Sequence, residues 1–66
     1  MNLVVNGEPM ALEPGATVAD LVGLVARTDR GVAVAIDREV VPRSSWATTP
    51  LHEGDRVEVL TAAAGG

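Results

Sequence analysis

Thr17-Val18-Ala19-Asp20-Leu21-Val22-Gly23-Leu24-Val25-Ala26-Arg27 is the stretch whose period decides the fold. Val18, Leu21, Val22 and Val25 recur at i, i+3, i+4 and i+7, and Leu24 widens the stripe. That is the period of a helix with one buried face. Thr17 and Asp20 make a capping-box-like start, with the carboxylate in the first turn where the helix dipole favours negative charge. Arg27 stands near the opposite end, which favours a cation. The spacing predicts a helix from about Val18 to Arg27 that lays one face on a sheet.

Working outward, the residues before the helix read as a hairpin. Leu3-Val4-Val5 is a short β-branched run followed by Asn6-Gly7. Both central residues of a type I′ turn need positive φ, which makes Asn-Gly a strong hairpin signal. The return strand runs from Glu8 to Leu12, with Pro9 confining it to a sheet edge and Pro14-Gly15 ending it. After the helix, Gly31 to Ile36 alternates with period two. Val32, Val34 and Ile36 are expected inward, and Ala33 and Ala35 outward. Asp37-Arg38-Glu39 turns the chain into a short strand at Val40-Val41, ended by Pro42. Arg43 to Pro50 reads as irregular, with a helical turn around Ser44-Ser45-Trp46. Glu53-Gly54-Asp55 is a turn, and Arg56 to Thr61 is the last strand, with Val57 and Val59 inward.

The order is hairpin, helix, two strands, irregular turn, strand. One main helix packed on one face of a mixed four- to five-stranded sheet buries these faces economically. The helix stands where a crossover between parallel strands is required. The expected class is therefore α+β, a β-grasp of the ubiquitin-like kind, with a domain over 1–61 and a flexible tail over 62–66.

Composition narrows the function. The 66 residues leave no room for a second core, and 47% of them are apolar. A formal charge of −4, a single aromatic (Trp46) and no Lys argue against nucleic-acid binding, which needs clustered cations and stacking rings. The absence of Cys removes disulfides, thiolate metal sites and a thiol nucleophile. Neither a signal peptide nor a run of about 20 apolar residues is present, so a soluble cytoplasmic protein with no membrane contact is expected.

The side chains give no catalytic constellation. His52 stands alone and reads as a solvated or structurally bonded histidine. Glu53, Asp55 and Glu58 read as a solvated acidic surface rather than a carboxylate pair. No phosphate-binding glycine motif occurs. The chain is expected not to be an enzyme, to hold no metal and to bind no cofactor. Trp46 reads as an anchor covering one end of the core. Arg43 pairs with an acidic group or meets a partner. Val4, Ala33, Ala35 and Leu60 form an expected apolar strip on the open sheet face, a candidate docking surface beside the tail.

That tail is Thr61-Ala62-Ala63-Ala64-Gly65-Gly66. Glycines carry no Cβ, so such a segment slides into a narrow cleft. Its final residue offers an α-carboxylate that another enzyme can reach. Five extended residues, Ala62 to Gly66, span about 17 Å.

Taken in order, Val5-Asn6-Gly7-Glu8, Thr17-Val18-Ala19-Asp20-Leu21, Val34-Ala35-Ile36-Asp37 and Val41-Pro42-Arg43-Ser44-Ser45-Trp46 form a pattern. With Leu51, Gly54-Asp55-Arg56-Val57-Glu58 and the terminal Gly65-Gly66, that pattern resembles the ThiS family over essentially the whole chain. These are ubiquitin-like sulfur carriers of thiamine thiazole biosynthesis. The chain departs from the family at Asp37, where Asn is frequent, and at Ala64, where Gly or a larger residue is frequent.

The resemblance implies a sulfur-carrying co-substrate. The Gly66 carboxylate would be adenylated by a ThiF-like enzyme using MgATP. It would become a thiocarboxylate with sulfur from a cysteine desulfurase, and deliver that sulfur to the thiazole synthase ThiG. Gly65, Ala64 and Ala63 would thread the tail into these partners. Other readings are a carrier like the small subunit of molybdopterin synthase, a ubiquitin-like protein modifier, and an interaction module whose glycines are inert.

Overall fold

The computed structural model describes residues 1–26 and 31–61. It opens with the expected hairpin. Strands β1 (Asn2–Val5) and β2 (Glu8–Ala11) run antiparallel, pairing Val5 with Glu8 and Val4 with Pro9. Asn6 (φ 51°) and Gly7 (φ 82°) occupy the two left-handed positions of the turn. As Pro9 requires, β2 lies at the edge of the sheet.

Helix α1 (Val18–Val25) begins at Thr17, and the capping box is complete. The Asp20 amide donates to Thr17 Oγ1 at 3.3 Å, and the Thr17 amide donates to Asp20 Oδ2 at 2.9 Å. Val18, Leu21 and Val22 are buried. The expected helix was longer: Ala26 is already extended at the C-cap (φ −119°, ψ 140°), and Arg27 lies outside the described residues. Leu24 does not widen the buried stripe either. At about 100° per residue it stands about 120° around the helix from Val18, and it is 68% exposed.

Beyond the helix come β3 (Val32–Ile36), β4 (Glu39–Val41) and β5 (Arg56–Thr61), with a 3-10 helix over Arg43–Thr48 between the last two. The five strands lie in the order β2-β1-β5-β3-β4. The pairing of β1 with β5 is parallel and the others are antiparallel, so the sheet is mixed. This is a β-grasp: the first and last strands meet in the middle, and α1 crosses one face.

The core lies between that face and the two helices. Leu3, Val5, Val34, Val57 and Val59 come from the sheet, Val18, Leu21 and Val22 from α1, and Trp46 and Leu51 close it. Trp46 is buried, and its indole N–H donates to the Val41 carbonyl at 3.0 Å. The only aromatic ring of the chain thus anchors the 3-10 helix to the end of β4. The segment after it is tied to the helix start by Val18 N–H to Thr49 O (3.0 Å) and Leu51 N–H to Ala16 O (2.9 Å). No described helix is long and apolar enough to cross a membrane.

The β3–β4 turn is less comfortable. Asp37 (φ 48°) and Arg38 (φ 73°) both adopt left-handed backbone, and Arg38 stands where such turns favour Gly. That conformation costs a side-chain-bearing residue about 1–2 kcal/mol, while glycine adds about 0.4–1 kcal/mol of unfolded-state entropy. Arg38→Gly should therefore stabilise the domain by about 0.5–1 kcal/mol, read as a rise of a few degrees in the thermal midpoint. Trp46→Phe should act oppositely. It strips the Val41 carbonyl of its indole donor, and urea titration should show a loss of about 1–3 kcal/mol.

Candidate functional site

Among the described residues, β5 is the element that leads to the Gly-Gly end of the sequence. Its alternation points Val57 and Val59 into the core and Arg56, Glu58 and Leu60 to the open face. β3 accompanies it to the end, with Ala33 opposite Leu60 and Val32 opposite Thr61. The residues that carry the tail therefore follow directly from the central strand of the sheet. Ala63, Ala64, Gly65 and Gly66, expected from the sequence to thread into partners, lie outside the described residues.

The proposed apolar strip divides in two. Leu60, 65% exposed, and Ala33 are cross-strand neighbours beside Thr61. Ala35 is next along β3, flanked by Glu58 on one side and by Val40 on the other. Val40 is 76% exposed and joins this surface, although the sequence reading gave it no role. Only the β3–β4 register places it there, and a two-residue run such as Val40-Val41 does not reveal which member faces out.

Val4 is elsewhere. It is opposite Arg56 on β5 and Pro9 on β2. Leu60 is four positions along β5 from Arg56, about 13 Å at strand rise. The charges of Arg56 and Glu58 lie between. The open face therefore has an apolar end at the root of the tail and a charged end away from it. At the charged end, a cavity of about 380 Å³ opens beside the turns at Gly7 and Asp37-Arg38, with Arg56 and Glu58 in its wall. Carboxylates and guanidiniums face it together, so its walls favour neither sign of ligand.

The remaining polar candidates serve the chain itself. The Asn2 amide donates to Glu53 Oε1 at 2.9 Å, and the His52 amide donates to Asp55 Oδ2 at 2.8 Å. Asp55 thereby ties off the turn that delivers the chain to β5. His52 is 74% exposed, with Nδ1 3.8 Å from the same carboxylate oxygen. Glu58 stands on the open face, apart from these two carboxylates. No group of acidic, His or Cys residues with metal-binding spacing occurs among the described residues.

One polar side chain matters more than the sequence suggested. The Asn6 amide makes two bonds to a single residue of β5: Oδ1 accepts from the Val59 N–H at 2.9 Å, and Nδ2 donates to the Val59 carbonyl at 3.1 Å. The Asn-Gly pair announced the turn, and nothing in its pattern announced this second task.

Comparison with known proteins gives this geometry a relative at full length. The ThiS family model matches residues 3–66. Across 66 residues the chain is 32% identical to the sulfur carrier protein ThiS of Escherichia coli, and it spans the whole of that protein. It is 38% identical to a thiazole synthase of Paramagnetospirillum magneticum, of which it spans only 20%. A crystal structure of the thiamine biosynthesis protein ThiS from Geobacter metallireducens superposes with a TM-score of 0.83 at 33% identity, both chains covered in full.

The exposed position of Leu60 yields a stability prediction. Leu60→Arg should change unfolding free energy by no more than about 0.5 kcal/mol, since the side chain lies on the open face and not in the core. A larger loss in urea titration would show that the face is packed.

Proposed function

The chain belongs to the ThiS family of β-grasp sulfur carriers of thiamine biosynthesis, and from that premise we propose that its working group is the Gly66 carboxylate. The supporting observation is that the family match extends through Gly65 and Gly66 to residue 66, directly downstream of the central strand. The proposal requires that Gly66 carry a free carboxylate.

A carboxylate is a poor electrophile until one oxygen becomes part of a good leaving group. A ThiF-like partner using MgATP supplies this by forming the acyl-adenylate and releasing pyrophosphate. The terminal sulfur of a cysteine-derived persulfide on a partner enzyme then displaces AMP to give an acyl disulfide. A second thiol of the partner cleaves its S–S bond, leaving a thiocarboxylate on Gly66 and a disulfide on the partner. A thiazole synthase of the ThiG kind takes that sulfur. Its assignment as acceptor is supported by relatives named thiazole synthase that contain a segment similar to this whole chain. The chain has no Cys, so its own side chains offer no thiol to compete for the sulfur.

The role of the domain is then to present and to dock. Gly65, Ala64 and Ala63 keep the tail narrow, and Leu60 with Ala33, Ala35 and Val40 offers an apolar surface at its root. Val4, at the far charged end of the face, contributes less to that surface. The site of action of such a carrier is the cytoplasm, where its ATP-using partner works.

Deleting Gly66 should abolish adenylate formation, followed as ATP–pyrophosphate exchange with the activating enzyme, while the thermal midpoint stays within about a degree or two of the parent's. Sulfur loading that survives the deletion would remove Gly66 from the chemistry. Leu60→Arg should raise KM for the carrier by about tenfold, the equivalent of about 1.4 kcal/mol of lost docking, with kcat little changed. An unchanged KM would move the docking surface elsewhere.

A further inference from the structure

We propose that Asn6 is a positioning residue for the loading reaction, because its side-chain amide clamps the strand that aims the tail. This rests on the carrier reading above. The backbone pairing of β1 with β5 stops early: Val4 stands opposite Arg56 and Val5 opposite Val57. The Asn6 amide N–H still reaches the Val57 carbonyl at 2.9 Å, but the chain then turns away into β2. On the other side, β3 continues beside β5 as far as Thr61. From Glu58 onward β5 is therefore held by a strand on one flank only.

The Asn6 side chain takes the place of the missing strand. A carboxamide carries one acceptor and one donor in a plane, the same pair that a strand residue presents to its neighbour. Its Oδ1 and Nδ2 engage the N–H and the carbonyl of Val59, two residues before Thr61. Both bonds are part-buried, and they connect positions 53 residues apart in the chain. Asn6 thus fills a left-handed position of the turn (φ 51°) and bonds β5 with the same residue's side chain. Fixing Val59 on both flanks restricts how the end of β5 can splay, and with it the direction in which the tail sets out.

Asp is the informative substitution. It has the shape of Asn and can still accept from the Val59 N–H, but it turns a carboxylate oxygen toward the Val59 carbonyl where the structure has a donor. Reactions that depend on alignment lose rate steeply with small displacements of the reacting group, by as much as about a hundredfold for an ångström. Loss of the clamp should therefore appear in the turnover of the adenylation step more than in docking, which uses the Leu60 surface.

The test compares Asn6→Asp and Asn6→Ala with Thr17→Ala, a cap-removing control that lowers stability far from β5. ATP–pyrophosphate exchange with a ThiF-family enzyme is measured against carrier concentration, and amide hydrogen exchange is followed in the same proteins. The expected result is a kcat at least about fivefold lower for both Asn6 variants with KM within about twofold of the parent's, and, in Asn6→Ala, which removes the acceptor of the Val59 N–H, faster exchange at Val59 than at Val34 or Leu21. Thr17→Ala should keep the parental kcat. Equal kinetics in the Asn6 variants and the control, or unchanged exchange at Val59 in Asn6→Ala, would overturn the clamp. Failure of the parent protein itself to support exchange would instead overturn the carrier reading.

Discussion

The parallel pairing of β1 with β5 is the contact on which the rest of the molecule depends. It joins the first strand to the last across more than fifty residues, and it is short. Gly54 N–H to Asn2 O (2.7 Å), Val4 N–H to Asp55 O (3.0 Å) and Asn6 N–H to Val57 O (2.9 Å) carry its backbone part. Closing so long a loop costs entropy before any contact forms, though the cost grows only slowly with length. Burial of Leu3, Val5, Val57 and Val59 under Val18, Leu21 and Val22 offsets it. With β5 in the centre, the sequence leading to Gly66 follows a strand whose end is paired with β3 on one flank and held at Val59 by the Asn6 side chain on the other.

The two faces of the sheet divide the work. The inner face is apolar and closed by Trp46 and Leu51, and no polar side chain is buried among the described residues. The open face is graded along β5, from Arg56 and Glu58 at one end to Leu60 at the other. Leu60 and Ala33 stand beside Thr61, while Ala35 and Val40 share their row with Glu58. The grading places the exposed Leu60 beside Thr61, the last described residue of β5.

Much of this was legible in the sequence because local signals and global need coincide. Asn6-Gly7, the Thr17/Asp20 box and the alternation of Val57 and Val59 each prescribe one local conformation, and the fold uses all three. The misreadings have a common origin. Leu24 was counted into the buried stripe by its hydrophobicity, although its angle around the helix sets it off the core. Val4 was grouped with Leu60 because both face outward, and only the parallel register shows that Arg56 and Glu58 come between them. Val40 and the Asn6 amide also depend on pairings, one local and one distant. Val59, the partner of Asn6, lies 53 residues away, while Val40 meets Ala35 across a short hairpin whose exact register decides which face it takes. The chemistry of the tail is a different case, since it is legible only through the family's pattern and not through any constellation of side chains.

The most direct measurement is top-down mass spectrometry of the protein after incubation with a ThiF-family enzyme, MgATP, a cysteine desulfurase and cysteine. The account predicts that one oxygen of the chain is replaced by one sulfur, and that fragmentation confines the change to the fragment ending in Gly66. An unmodified Gly66 carboxylate under conditions that load the Escherichia coli carrier would contradict it, as would sulfur located anywhere else in the chain.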